Sequence, residues 1–154
     1  RLVFRTNRYG SKEAALKAAF LHAAFYQDLV RIGVFHPETK LFLHETPRGS
    51  PAITVISARL HTFPEELVQY GNIPQIDAVH TRILKAYPGF EGISHPDLDF
   101  DKNYGMTGKW PSYTFHLYDL HVFKTPGKRV VKWLEETLPK SAAAFERYLK
   151  TRPK

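Results

Sequence analysis

Hydrophobic and polar positions recur at two periods along this chain, and the changes of period mark out its elements. Leu2, Phe4 and Thr6 alternate with Val3 and Arg5, which predicts a short strand over 2–6. From Lys12 to Ile32 the period lengthens to that of a helix, with Ser11 placed to cap it and Gly33 to end it. Ala14, Ala18, Leu21, Phe25, Leu29 and Ile32 form one apolar stripe, and Leu16, Phe20, Ala23 and Val30 a second, nearly opposite. Between the stripes run Glu13, Lys17, Asp28 and Arg31, with Glu13 and Lys17 spaced to pair along the helix. A helix apolar on two sides needs two partners, and a sheet on one side and a helix on the other is the simplest arrangement. His22 flanks the first stripe and reads as a core or boundary histidine.

Short alternating runs over 41–45 and 53–60, joined by Thr46-Pro47-Arg48-Gly49-Ser50-Pro51, predict a hairpin. Phe63-Pro64-Glu65-Glu66 opens a helical segment that Gly71-Asn72 breaks. A second piece runs from Pro74 to Tyr87, with Ile76, Val79, Ile83 and Ala86 or Tyr87 inward and His80, Arg82 and Lys85 outward or marginal. The stretch 88–111 reads as a long irregular loop, packed on the body by Phe90, Phe100, Tyr104, Met106 and Trp110. The aromatic run Tyr113–Phe123 holds no Gly or Pro and is fenced by Pro111 and Pro126, so it is the strongest strand of the chain. A helix over 128–138 follows, with Val131, Leu134 and Leu138 inward. Pro139-Lys140-Ser141 turns into a last helix anchored by Phe145, Tyr148 and Leu149.

The order β-α-β-β-α-β-α-α predicts an α+β domain of ferredoxin-like type: a mainly antiparallel four-stranded sheet with two appended C-terminal helices. At 154 residues the chain is long enough for one domain with a real core. Its expected division is a core over 1–124, a helical appendage over 125–154 and the packed loop 88–111. The test of this fold is that the strands over 2–6 and 113–123 share one sheet.

Composition narrows the function. There is no cysteine, which excludes a disulfide scaffold, thiolate catalysis and cysteine-bound metal. The net charge of +7 and pI near 9.6 favour contact with nucleic acid, an anionic membrane or an acidic partner. The longest apolar helix is interrupted by Lys17, His22, Gln27 and Asp28, so no transmembrane segment is expected. The chain opens Arg-Leu-Val-Phe without an initiator Met, which reads as a processed N-terminus.

The eight histidines form no metal-binding spacing, and no metal or cofactor is called for. Asp97, Asp99 and Asp101 alternate, but the glycine and glutamate of a calcium loop are missing from their places. Strand parity sets His116 and Tyr118 on one face of the 113–123 run and Asp119 and His121 on the other. Asp119 with His121 has the spacing of an acid orienting an imidazole, and His116 with Tyr118 that of an acid/base beside a hydrogen-bond donor. Substitution at His116 is expected to leave stability nearly unchanged.

Two functional expectations follow. The first is an accessory or structural subunit of a large basic assembly, an organellar (mitochondrial) ribonucleoprotein being the leading example. Arg5, Arg8, Lys128, Arg129 and Arg147 would neutralise RNA phosphates without base reading, beside neighbouring protein subunits. The alternative is a small cofactor-free enzyme, or a small-molecule binding protein, of ferredoxin-like fold. It would use His116, Tyr118, Asp119 and His121, and these groups should then line a closed pocket.

Overall fold

The computed structural model describes residues 2–8, 13–61, 74–90, 104–109, 112–117 and 128–153, with the backbone alone at residues 2–8, 75, 76, 104, 109 and 113. Its elements are β1 (Leu2–Arg8), α1 (Glu13–Arg31), β2 (Lys40–Glu45), β3 (Pro51–Ala58), α2 (Pro74–Ala86), β4 (Tyr104–Lys109), β5 (Ser112–Leu117), α3 (Lys128–Thr137) and α4 (Pro139–Thr151).

The four-stranded ferredoxin-like sheet does not form. The strands fall into a three-stranded antiparallel sheet of order β1-β3-β2 and a separate two-stranded antiparallel sheet, β4-β5. The strands that open and close the expected motif therefore lie in different sheets. The cause is local. β4 lies just upstream of β5 in the chain, and pairing it costs less loop-closure entropy than reaching β1. Their register runs from Lys109 opposite Ser112 to Tyr104 opposite Leu117. Beyond β4, the Leu117 amide donates to the Val34 carbonyl at 3.0 Å, so the end of β5 is also held by the segment leaving α1.

β4 falls inside the stretch that reads as loop, and its two glycines explain why. Gly105 lies so close to the segment after β3 that a Cβ there would collide with the Leu60 side chain. Next to it, His61 and Met106 exchange amide–carbonyl hydrogen bonds of 2.8 and 2.9 Å, which hook the small sheet to the end of β3. Gly108 has φ +101°, a conformation that side chains with a Cβ disfavour.

α1 packs on two sides, as its two stripes require. One side lies on β2 and β3, the other against α3 and α4. Leu21, Phe25, Tyr26 and Leu29 are completely buried with Ile53, Ile83, Phe90 and Leu134 in a single core. The C-terminal end of α1 closes by backbone bonds alone. Val34 N–H donates to Leu29 O at 2.9 Å and Gly33 N–H to Val30 O at 3.1 Å, while Gly33 takes φ +79°. Around Phe25 stand Tyr87, Phe90 and Trp133, with ring centroids 5.0, 5.9 and 5.6 Å away. The Tyr87 hydroxyl donates to Asp28 Oδ2 at 2.6 Å; burial, then that bond, push its pKa upward.

The expected pairing of Glu13 with Lys17 along α1 is replaced by contacts between helices. Lys17 reaches Glu135 of α3 and Glu146 of α4, the latter at 3.4 Å, while Glu13 pairs with Arg152 at 3.7 Å. Hydrogen bonding to Glu135 is the main cause that raises the Lys17 pKa. Among the described residues no helix is long and apolar enough to cross a membrane.

Candidate functional site

Three places on the molecule bear on function: the outer face of the C-terminal helices, a histidine–arginine node at the end of α1, and a groove at its beginning.

The outer face is built by amphipathic burial. Leu134 of α3 and Phe145 of α4 are buried toward α1, and Val130, Val131 and Ala142 pack on the same core, so the remaining positions turn outward. Residues 128–153 hold seven Lys and Arg against three Glu, an excess of four positive charges in a chain of net +7. All seven are exposed: Lys128, Arg129, Lys132, Lys140, Arg147, Lys150 and Arg152. Two of the three acids, Glu135 and Glu146, bond to Lys17 of α1, which uses their charge at the helix–helix contact. The predicted phosphate contacts Lys128, Arg129 and Arg147 thus sit on two neighbouring helices. Arg5 and Arg8 lie on β1, an edge strand of the three-stranded sheet, where only the backbone is described.

The node gathers around the Gly33 carbonyl, which accepts from Arg82 Nη1 at 3.1 Å and from the His116 ring. His116 is 6% exposed, and its ring lies edge-on to His36 with centroids 5.2 Å apart. Its Nδ1 has no hydrogen-bond partner among the described residues. Burial, then the nearby His36 and Arg82, lower its pKa below the ordinary 6.5, against the Gly33 bond that raises it. The imidazole is therefore neutral at pH 7. Strand parity does not separate inside from outside here, because Phe115, His116 and Leu117 are all buried. The expectation that substitution at His116 is nearly neutral therefore reverses. Tyr118, Asp119 and His121 lie outside the described residues, as does the Asp97–Asp101 run.

The groove has a volume of about 530 Å³ and runs between the first turns of α1, the β2–β3 hairpin and α4. Phe20 and Phe145 have ring centroids 5.3 Å apart, and Phe145 and Tyr148 6.3 Å, forming an aromatic wall. Tyr148, expected as a core anchor, is instead 48% exposed on this wall. His116 does not line the groove.

No relative guides the choice among these places. No family model matches the chain, and no curated protein or solved structure matches it either.

Sequence reasoning found the basic residues but missed the groove. Its lining comes from residues as distant along the chain as Glu13, Leu43 and Arg152, which no spacing rule connects. The signal within reach was Tyr148 beside Arg147 and Glu146 on a helix whose buried anchor, Phe145, lies one turn away. Among the described residues, no group of three or more His, Asp or Glu is arranged to hold a metal ion.

Proposed function

We propose that this chain is an accessory subunit of a ribonucleoprotein that lays the outer face of α3 and α4 on RNA phosphates. The observation that carries this reading is the exposure of six cations on these helices, Lys128, Arg129, Lys132, Lys140, Arg147 and Lys150, while Lys17 bonds two of their three acids. Local positive potential follows from the arrangement, beyond what composition alone provides. Phosphate contacts of this kind position a protein on RNA without reading bases. The apolar side of the same helices is already committed to α1, so the polar side is what remains for a partner.

Binding of an unstructured RNA, measured across a salt series, tests it. Affinity should fall steeply with salt, and the combined Lys128→Gln, Arg129→Gln and Arg147→Gln variant should flatten the slope by about 0.7 for each phosphate no longer neutralised. A salt-insensitive affinity, or a triple variant that binds like the native chain, contradicts the reading.

A further inference from the structure

The groove between α1, the β2–β3 hairpin and α4 has features that RNA contact does not use. Its volume, about 530 Å³, lies in the range of small-molecule sites, roughly 300–1,000 Å³. Its wall is apolar, built by Leu16, Phe20, Leu43, Pro51, Phe145 and Tyr148. Three large hydrophobic side chains are notably exposed among the described residues, and two of them, Leu43 at 38% and Tyr148 at 48%, open on this groove. Apolar surface gathered at one concave place marks a binding site more often than the same area scattered.

The rim fixes the sign of the occupant. Four polar side chains stand there: Glu13, His44, Glu45 and Arg152. The Arg152 guanidinium is paired with Glu13 at 3.7 Å. Glu13 also lies in the first turn of α1, where its charge offsets the positive end of the helix dipole. His44 is engaged at both nitrogens, with Nε2 at 2.8 Å from the Thr54 hydroxyl and Nδ1 at 3.3 Å from the Glu45 carbonyl oxygen. A carbonyl only accepts, so Nδ1 donates to Glu45 O, while Nε2 and the Thr54 hydroxyl satisfy each other; both ring nitrogens are thus taken up inside the hairpin. The Glu45 carboxylate is left. It makes no ion pair among the described residues, and it lies beside the tight turn at Gly49, where φ is +75°. Two carboxylates against one guanidinium give an acidic mouth in a chain of net +7.

From this geometry we infer that the groove binds a small organic cation: an ammonium or guanidinium head on an apolar body. The head would meet the Glu45 carboxylate and the face of Tyr148, since aromatic faces attract cations. The body would cover Leu43 and Phe20.

The test uses three probes of one shape, phenethylammonium, 2-phenylethanol and 3-phenylpropionate, titrated into the protein by ligand-observed NMR. The ammonium should bind at least about tenfold more tightly than the alcohol, as a desolvated cation–aromatic contact and a carboxylate together allow, and the carboxylate probe should not bind. Glu45→Gln should remove most of that preference while the melting temperature stays unchanged. Tyr148→Leu, which keeps apolar bulk, should weaken the ammonium more than the alcohol. Equal binding of all three probes, tighter binding of the carboxylate, or indifference to Glu45→Gln overturns the inference. So does a sedimentation experiment in which a second copy of the chain occupies the groove and excludes the probes.

Discussion

The two ends of α1 meet very different surroundings. At the C-terminal end Phe25, Tyr26 and Leu29 are fully buried, the last carbonyls are closed by Gly33 and Val34, and Arg82 and His116 converge on the Gly33 carbonyl. At the N-terminal end Glu13 and Ala14 are exposed, Leu16 and Phe20 are only partly covered, and a groove opens between the helix, the hairpin and α4. One helix of nearly uniform apolar pattern thus has a sealed end and an open end. Titratable side chains stand at both, and those at the open end face the groove. A histidine in an aromatic strand, the natural suspect in the sequence, belongs to the sealed end.

The largest effect expected from this contrast is at Phe25. Its ring packs against Tyr87, Phe90 and Trp133 among the described residues, and Phe25→Ala should cost about 3–5 kcal/mol in chemical denaturation. Tyr148→Ala, at the open end, should cost less than about 1 kcal/mol by the same measurement. Comparable losses at both positions would remove the distinction.

His116→Ala ranks next. It deletes a buried ring and its bond to Gly33, and a loss of about 1–3 kcal/mol is expected. The same residue predicts a pH dependence. Its pKa is lowered in the fold, so the unfolded chain binds the proton more readily. The stability it supports is fully present above the ordinary imidazole value of 6.5 and is lost as pH falls from there toward the lowered value. His36 and Arg82 face it and add positive charge, which sharpens the loss on protonation. Denaturation midpoints between pH 7 and pH 5 should drop more for the native chain than for His116→Gln.

A smaller effect is expected at Lys17, a partly exposed residue. Lys17→Met should cost roughly 1 kcal/mol or less, because screened ion pairs contribute little. It should also weaken RNA binding, since Glu135 and Glu146 would no longer be neutralised beside the cations of α3 and α4. An RNA affinity that stays constant would argue that the outer face does not carry the contact.

Much of the local structure was legible in the sequence, because it rests on local rules. Gly33 ends α1 where its position predicts, the hairpin spans nearly the expected residues, and Val79 and Ile83 of α2 are buried as their spacing requires. The sheet pairing was not legible. A strand holding Gly105 and Gly108 looks like loop until Leu60 is placed against it, and with β4 hidden, β5 has no local partner and is assigned to the wrong sheet. The polar contacts failed for a related reason. Lys17 has Glu13 one turn away, yet its bonds go to helices more than a hundred residues further along. Both the sheets and the groove depend on tertiary proximity, which periodicity does not encode.

The contrast between the two ends is tested most directly by thermal melts with and without phenethylammonium, run on the native chain, His116→Ala and Glu45→Gln. Binding to the folded state raises its melting temperature by mass action, so stability and occupancy are read together. His116→Ala should melt lower than the native chain and still gain the ligand-induced shift. Glu45→Gln should melt as the native chain does and gain little or none. A ligand shift that survives in Glu45→Gln, or vanishes in a folded His116→Ala, would contradict the assignment of stability to the sealed end and binding to the open one.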